Sequence, residues 1–479
     1  MLNRKYFQMD YSNFLSMREE LSLIAVMFIL LLIDIIGGDK AKRWFQPAGI
    51  VLMLLHTALN CIPREPFEAF GGMFVYTPMM TIIKTILNFG VLIIFLQVHQ
   101  WLSRADNPIK QGEFYFLTLT TLLGMYFMIS AGNFLLFFIG METASIPMTT
   151  LIAFDKYRRT SAEAGAKYIL SAVFSSAIMI FGISLIYGVS GTLYFGDVAL
   201  AFSKGWLPVM AFVFFAVGLF FKMSLVPFHL WTADVYQGAP TGVTAYLSVI
   251  SKGSVAFVLF ALLVKVFPNI IVEWRVVMWI IVVLTITIGN LFALRQDNIK
   301  RFLAFSSISQ AGYIALTILS ASAEGMNSLV YYVLVYMLSN LAVFGVVMII
   351  ENYADKINIS DYKGLYKTNP KLSVVMMFGM FSLAGIPIWG GFFSKFFAFM
   401  AAVHQGFLVL VFIALLNTVI SLFYYLKVIK AMFLEENDNP IQTVKSDFPA
   451  RLALVVCTVG FCVVGFLSVV YDKIGNLTF

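Results

Sequence analysis

The sequence predicts an all-α polytopic membrane protein on three observations. The chain has 479 residues, of which 60% are hydrophobic and only 12% charged, too few polar groups to cover a soluble fold. Its apolar runs repeatedly reach about 20 residues, the length at which a helix spans a bilayer. No segment shows the roughly ten-residue alternation that is typical of a membrane β-barrel. We therefore expect a bundle of membrane-spanning helices.

About fourteen such helices are predicted from the apolar runs. They lie at 20–37, 46–62, 76–101, 113–130, 132–153, 163–188, 205–238, 241–266, 273–294, 301–320, 328–350, 371–400, 404–426 and 451–471.

Two of these helices are each broken by a proline with a lysine nearby. The stretch GLFFKMSLVPFHLW holds Lys222 and Pro227, and SLAGIPIWGGFFSKF holds Pro387 and Lys395. An unwound helix with an ionisable group at membrane depth is tolerated only where it faces protein or water. Paired breaks in corresponding halves of a chain point to an ion pathway. The sequence therefore predicts a transporter of ions.

The basic residues outside the predicted spans predict the orientation. Loops that follow odd-numbered helices hold nineteen of them, whereas the even loops and both termini hold eight. Because cytoplasmic loops are enriched in lysine and arginine, both termini are expected on the outer side. The same bias accounts for the net charge of +7, so no nucleic-acid partner is needed.

Five lysines remain inside the predicted spans. On insertion scales each costs about 2.5 to 3.5 kcal/mol at mid-bilayer. Lys84 and Lys167 lie near their helix starts, where a long side chain can reach the membrane interface. We expect Lys84 to reach the interface in this way. Lys167 is kept as a candidate residue of the proton pathway. Lys222, Lys252 and Lys395 lie deeper, and we expect them to line the pathway.

Glu142 is the only carboxylate in the central part of any predicted span. A carboxylate buried alone takes up a proton, and a neighbouring lysine restores its charged form. We therefore expect Glu142 to face a lysine, with Lys222 as the chosen partner; a purely structural ion pair is the alternative. His229, just past the first break, is read either as a proton relay or as a polar group that satisfies loosened backbone.

Redox and nucleotide chemistry find no support in the chain itself. Cys61, Cys457 and Cys462 form no CxxC pair or cluster, the four histidines are scattered, and no GxGxxG or Walker sequence occurs. Iron–sulfur, zinc and nucleotide sites are therefore not expected here.

Several long motifs resemble the antiporter-like N subunit of proton-pumping NADH:quinone oxidoreductase, respiratory complex I. They are GMYFMISAGNFLLFFIGMETASIPMTTLIAF, GLFFKMSLVPFHLWTADVYQGAPTGVTAYLSVISKGSVA, NIKRFLAFSSISQAGY and SLAGIPIWGGFFSKFFAF. The resemblance runs over most of residues 113–430, with a looser match in the first three helices and the last one.

The resemblance implies two inverted five-helix repeats, each with one broken helix. It assigns residues 1–112 to three N-terminal helices, 113–266 and 273–427 to the two repeats, and 428–479 to a loop and a last helix. It gives Glu142, Lys222, Lys252 and Lys395 roles in a polar axis for protons. It also implies that NADH, FMN, iron–sulfur clusters and quinone are bound by partner subunits, that antiporter-like subunit M and the small subunits K and J are neighbours, and that the location is the bacterial inner membrane.

Three alternatives stay open at this point. The chain could belong to a multisubunit sodium/proton antiporter, which would show sodium-dependent exchange. It could belong to a homologous complex fed by ferredoxin or F420. It could also be a scaffold that only seals the membrane arm, in which case replacing the central lysines would leave pumping intact.

Overall fold

The computed structural model describes residues 12–103, 111–466 and 469–477, and this part of the chain is almost entirely helical. The helices in chain order are α1 (Ser12–Ser16), α2 (Arg18–Asn60), α3 (Pro78–Gln97), α4 (His99–Leu102), α5 (Gln111–Ile129), α6 (Phe134–Ile152), α7 (Arg159–Ser190), α8 (Phe195–Ala201), α9 (Trp206–Met223), α10 (Leu230–Gly238), α11 (Thr241–Tyr246), α12 (Lys252–Lys265), α13 (Ile271–Ala293), α14 (Ile299–Ser320), α15 (Ala323–Ala354), α16 (Leu365–Thr368), α17 (Pro370–Ala384), α18 (Gly390–His404), α19 (Leu408–Leu434), α20 (Phe448–Phe466) and α21 (Val469–Leu477).

Twelve helices in the described residues are long and apolar enough to cross a membrane. A helix is present at each of the fourteen predicted segments, but the first two segments join in α2, which is interrupted at Gly38 (φ 50°, ψ −143°). The chain is therefore a multi-pass helical membrane protein, as the composition predicted. The count of fourteen, the two inverted repeats and the domain boundaries stay predictions.

A short β-hairpin that the sequence did not predict closes one end of the bundle. Strand β1 (Phe67–Ala69) pairs antiparallel with strand β2 (Phe74–Tyr76), and β2 is tied to the end of α5 by a bond from Val75 N to Ser130 O of 2.9 Å. We refer to this side of the bundle as the hairpin end.

The first predicted break lies between α9 and α10. Helix α9 ends where Ser224 adopts a left-handed conformation (φ 61°). The released backbone groups find partners: Trp231 Nε1 donates to Phe221 O at 3.1 Å, and Thr285 Oγ1 accepts from Val226 N at 3.0 Å. These bonds allow non-helical backbone at membrane depth.

The second break lies between α17 and α18, where Gly385 is left-handed (φ 84°). The chain turns so tightly there that a Cβ added to Gly391 would lie 1.7 Å from Ser382 O. Glycine is therefore required at this position.

Helices α14 and α15 form the centre of the bundle. Their most apolar stretches are 100% and 94% buried, whereas the corresponding stretches of α6, α7, α19 and α20 are less than 40% buried. Polar side chains on α14 and α15 are thus enclosed by protein, and the peripheral helices carry the exposed apolar surface.

Candidate functional site: a row of buried lysines

Lys222 occupies the last turn of α9, directly before the first break. Its side chain is buried, and Nζ donates to the Tyr168 hydroxyl of α7 at 2.9 Å. The ammonium also lies 5.2 Å from the centre of the Tyr168 ring, at a distance typical of a cation–π contact. Trp231 of α10 packs edge-on against that ring, so both segments of the broken helix hold the lysine in place.

Lys252 follows directly after a π-helical turn at Leu247–Ser251 that separates α11 from α12. Such turns shift the phase of the following helix and are frequent at functional sites. Lys252 is 1% exposed, and its Nζ donates to Ser307 Oγ at 2.7 Å. The ring of Tyr236 on α10 lies 5.6 Å away.

Tyr236 links the surroundings of Lys222 to those of Lys252. Its ring is 6.3 Å from that of Trp231, which in turn contacts Tyr168, the partner of Lys222. The short helix α10, released by the break, therefore contacts the surroundings of both Lys222 and Lys252.

Lys395 lies in the second turn of α18, beyond the second break. Its Nζ donates to the carbonyl oxygen of Ala384, at the end of α17, at 2.9 Å. Tyr313 of α14 provides a ring 4.9 Å from the ammonium. The lysine thus satisfies a carbonyl that the broken helix leaves without a helical partner.

Hydroxyl and amide groups of α14 and α15 connect Lys252 to the surroundings of Lys395. Tyr336 donates to Ser307 Oγ, the partner of Lys252, at 2.9 Å. Tyr336 also lines a cavity of about 10 Å³ together with Gln310 and Lys395, which is room for roughly one water molecule. The contacts therefore follow the order Lys222, Lys252, Lys395, and we call these three residues the lysine row.

Several buried polar atoms at the first break have no hydrogen-bond partner among the described residues. They are Ser224 Oγ, His229 Nδ1 and Thr232 Oγ1. Buried polar atoms in native proteins are almost always paired, with protein or with ordered water. The surroundings of Lys222 therefore suit bound water. His229 directly precedes α10. It makes no described side-chain bond to Lys222, so its relay role stays a prediction.

The direct contact expected between Glu142 and Lys222 is not made in this structure. Glu142 is half-buried on α6 and accepts a hydrogen bond from Ser176 Oγ of α7 at 2.6 Å. Lys222 instead contacts Tyr168 of α7. Tyr168 lies eight residues before Ser176 on that helix, which is about 12 Å along the helix axis. The expectation is corrected accordingly, because α7 supplies a separate hydroxyl to each group.

Two other sequence-based expectations about lysines also need correction. Lys167 is 44% exposed, and its Nζ lies 2.8 Å from Glu163 and 2.7 Å from Asp234. It belongs to a surface group of ion pairs and is not brought to the lysine row. Lys84, which was expected to reach the interface, is only 2% exposed and pairs with Glu19 and Glu20.

Sequence reasoning missed the polar residues that surround the lysines. Those on α14 are Ser306, Ser307 and Gln310; those on α15 are Tyr332, Tyr336 and Asn340. Each set recurs at spacings of one, three or four residues, which places its members on one helix face. A row of polar residues on one face of a membrane-spanning helix was the sequence signal that could have revealed them.

Replacing Tyr336 by phenylalanine should slow proton transfer without disturbing the fold. The change removes only the hydroxyl that joins Ser307 to the cavity beside Lys395, and proton transfer depends on such positioned groups. We expect about a tenfold lower pumping rate in proteoliposomes. Tyr331→Phe is the matched control, since that hydroxyl, on the same helix, donates to Val464 O away from the row. Equal rates for both variants would contradict the connection.

The fold and the lysine row define an antiporter-like, multi-pass membrane protein. A family model described as NADH:quinone oxidoreductase/Mrp antiporter, TM, matches residues 131–421. The chain belongs to this family. Within it, NADH-quinone oxidoreductase subunit N of Phocaeicola vulgatus is 55% identical over 469 residues, covering 98% of this chain and 99% of the relative. The protein of the same name from Azobacteroides pseudotrichonymphae is 50% identical, with coverage of 98% and 99%.

Solved structures agree with this assignment. A chain of respiratory complex I from Thermus thermophilus with bound aureothin matches with a TM-score of 0.76 and 29% identity, covering 94% of this chain and 97% of that one. A chain of the Mrp complex from Dietzia sp. matches with a TM-score of 0.85, 20% identity and 96% coverage of both chains. The second likeness concerns the fold alone.

Proposed function

We propose that the chain is the N subunit of a proton-pumping NADH:quinone oxidoreductase and that it moves protons along the lysine row. The observation that carries the proposal is the row itself: three buried ammonium groups are each held by a neutral oxygen, and hydroxyl groups connect Lys252 to the small cavity beside Lys395. The names of the relatives favour this complex over a separate antiporter. Retained lysines at membrane depth are costly and mark ion pathways.

The neutral surroundings of the row suit reversible proton binding. Lys222, Lys252 and Lys395 donate to a phenol, a serine hydroxyl and a backbone carbonyl, respectively. None of these three acceptors is a carboxylate, so no ion pair fixes the ammonium groups where they lie. Hydroxyl groups and water between the lysines can then accept the proton and pass it on.

Lys222 has a geometry that permits two positions. In the antiparallel pair of α7 and α9, Gly182 packs against Phe215, and Gly218 packs against Met179. Continuing this register by one turn puts the backbone of Lys222 level with Ser175, next to Ser176, the partner of Glu142. The ammonium now points along α7 to Tyr168; a change of rotamer would turn it towards Ser176 and the Glu142 carboxylate. Approach to Glu142 would pair the ammonium with a carboxylate, and return to Tyr168 would separate the two charges again.

Replacing Glu142 by glutamine should impair pumping through this switch. Glutamine keeps the oxygen that accepts from Ser176 but removes the charge that attracts the Lys222 ammonium. We expect about a tenfold or larger fall in the rate of proton uptake by proteoliposomes. The control is Glu163→Gln on α7, an exposed carboxylate outside the row. Unchanged pumping by Glu142→Gln would rule out the switch.

The proposed assignment also fixes what other chains supply. Oxidation of NADH through FMN and iron–sulfur clusters, and reduction of quinone, would occur in partner subunits. Subunits M, K and J would be the membrane-arm neighbours, in the bacterial inner membrane, with both termini of this chain on the periplasmic side. Purification of the intact complex by a tag on this chain tests the assignment: redox subunits should co-purify, and pumping should not require sodium.

A further inference from the structure

A second group of buried charges, outside the lysine row, lies where α2 and α3 meet at the hairpin end. Lys84 Nζ lies 2.7 Å from Glu19 Oε2 and 2.6 Å from Glu20 Oε1. The three side chains are no more than 2% exposed. Lys84 also donates to Ser130 Oγ, at the end of α5, at 2.8 Å.

We propose that Glu19, Glu20 and Lys84, the acidic triad, hold an exchangeable proton and pass it to a cavity at the hairpin end. This role rests on the proposed function, because it adds a further proton-binding site to a chain that moves protons. It concerns different helices and different residues from the lysine row.

The charges within the triad do not balance. Two carboxylates share one ammonium, which leaves one negative charge in a buried site; carboxylates that share a site do not both ionise easily. The positive charge of Arg64 acts on Glu19 from a distance, but Arg64 Nη1 donates to Ser16 O and Arg18 Nε to Asn60 Oδ1, so neither arginine forms an ion pair with the triad. A proton on one carboxylate therefore restores neutrality at the lowest cost.

The hydrogen bonds indicate which carboxylate holds the proton. Glu19 accepts from both Lys84 and Thr81 Oγ1, the latter at 2.7 Å. Two donors stabilise the ionised form of Glu19. Glu20 accepts from Lys84 alone among the described residues. Glu20 is thus the residue whose free oxygen can carry the proton.

A solvent route leads to the triad through Ser130. The residues on either side of it, Ile129 and Ala131, line a cavity of about 630 Å³ at the hairpin end. Its lining also includes the charged residues Glu68, Asp197 and Lys265, so it suits water. Ser130 itself is buried, so the proposed route runs from Lys84 through the serine hydroxyl to the cavity that its two neighbours line.

The transfer can be written with all protons accounted for. The Lys84 ammonium gives one proton, through the Ser130 hydroxyl, to water in the cavity. The neutral amine then takes the proton from the Glu20 carboxylic acid, which leaves Glu20 as a carboxylate. The triad would be reloaded through Thr81, whose hydroxyl donates to Glu19 and contacts the hydroxyl of Tyr76.

Glu20→Gln in the whole complex tests the proposal, with Glu163→Gln, an exposed carboxylate of α7, as the matched control. Glutamine reproduces the neutral form of Glu20, so the complex should assemble. An NADH-induced infrared difference spectrum should lose one protonated-carboxyl band, and the pumping rate should fall about tenfold. Failure to assemble, an unchanged band or wild-type pumping would each overturn the proposal.

The same experiment separates this proposal from the proposed function. The band at Glu20 depends on the triad, whereas the effect of Lys252→Met depends on the lysine row. If Lys252→Met stops pumping while Glu20→Gln pumps normally, only the acidic triad fails. If Lys252→Met pumps normally while the Glu20 band is present, the lysine row fails and the triad remains a proton-binding site.

Discussion

A complex that carries Lys252→Met should assemble with all its subunits and lose proton pumping. Methionine fills much of the lysine volume, and replacing an isolated buried charge by an apolar side chain does not cost stability. Ser307 would keep its bond from Tyr336, so the neighbouring network survives. Because one link of the row would then be unable to carry a proton, we expect pumping to fall about 100-fold or more. A fluorescent pH probe inside proteoliposomes measures this after addition of NADH.

Two further variants decide whether Lys252 acts by carrying a proton or only by its charge. Lys265→Met removes an exposed lysine from the same helix and should pump normally. Lys252→Arg keeps a cation that does not release its proton at any physiological pH, so it should be as inactive as Lys252→Met. Pumping by the arginine variant would show that charge alone suffices.

The second large effect is expected from Lys84→Met, and it concerns stability. Removing the lysine leaves Glu19 and Glu20 facing one another in a site that is nearly inaccessible to solvent. Breaking a buried pair by removing one partner costs about 3 to 5 kcal/mol. We expect this chain to be lost from the purified complex, or the complex to unfold at a lower temperature.

A compensated variant tests the reason for that loss. Lys84→Met combined with Glu19→Gln and Glu20→Gln leaves no unpaired charge in the site, and the amide at position 19 can still accept from Thr81. The triple variant should therefore assemble better than Lys84→Met alone. If it assembled no better, the defect would lie in packing and not in uncompensated charge.

The helices, both breaks and the buried lysines were predictable because each depends on local sequence. Twenty apolar residues in a row span a bilayer whatever surrounds them, and the prolines beside Lys222 and Lys395 interrupt a helix through their own geometry. Because each central lysine carries a charge, its side chain was expected to face protein or water and not lipid. These features needed no knowledge of which helices pack together.

The partners of those lysines were not predictable in the same way. Lys252 bonds to Ser307, 55 residues away, and Lys84 to Glu19, 65 residues away. The choice depends on helix packing and, for Lys252, on a π-helical turn in an unremarkable run of residues. The pairing of Glu142 with Lys222 was inferred from charge alone, and the hydroxyls of Ser176 and Tyr168 offered each group a nearer partner.

The most direct test of the lysine row is the number of protons moved per electron by the reconstituted complex. Lys222→Met, Lys252→Met and Lys395→Met should be compared with the unaltered complex and with Lys265→Met. Each of the three should lower the ratio of protons pumped to NADH oxidised, or stop both processes together, while Lys265→Met matches the unaltered complex. Unchanged ratios at undiminished turnover in all three variants would contradict the account and leave the chain as a scaffold.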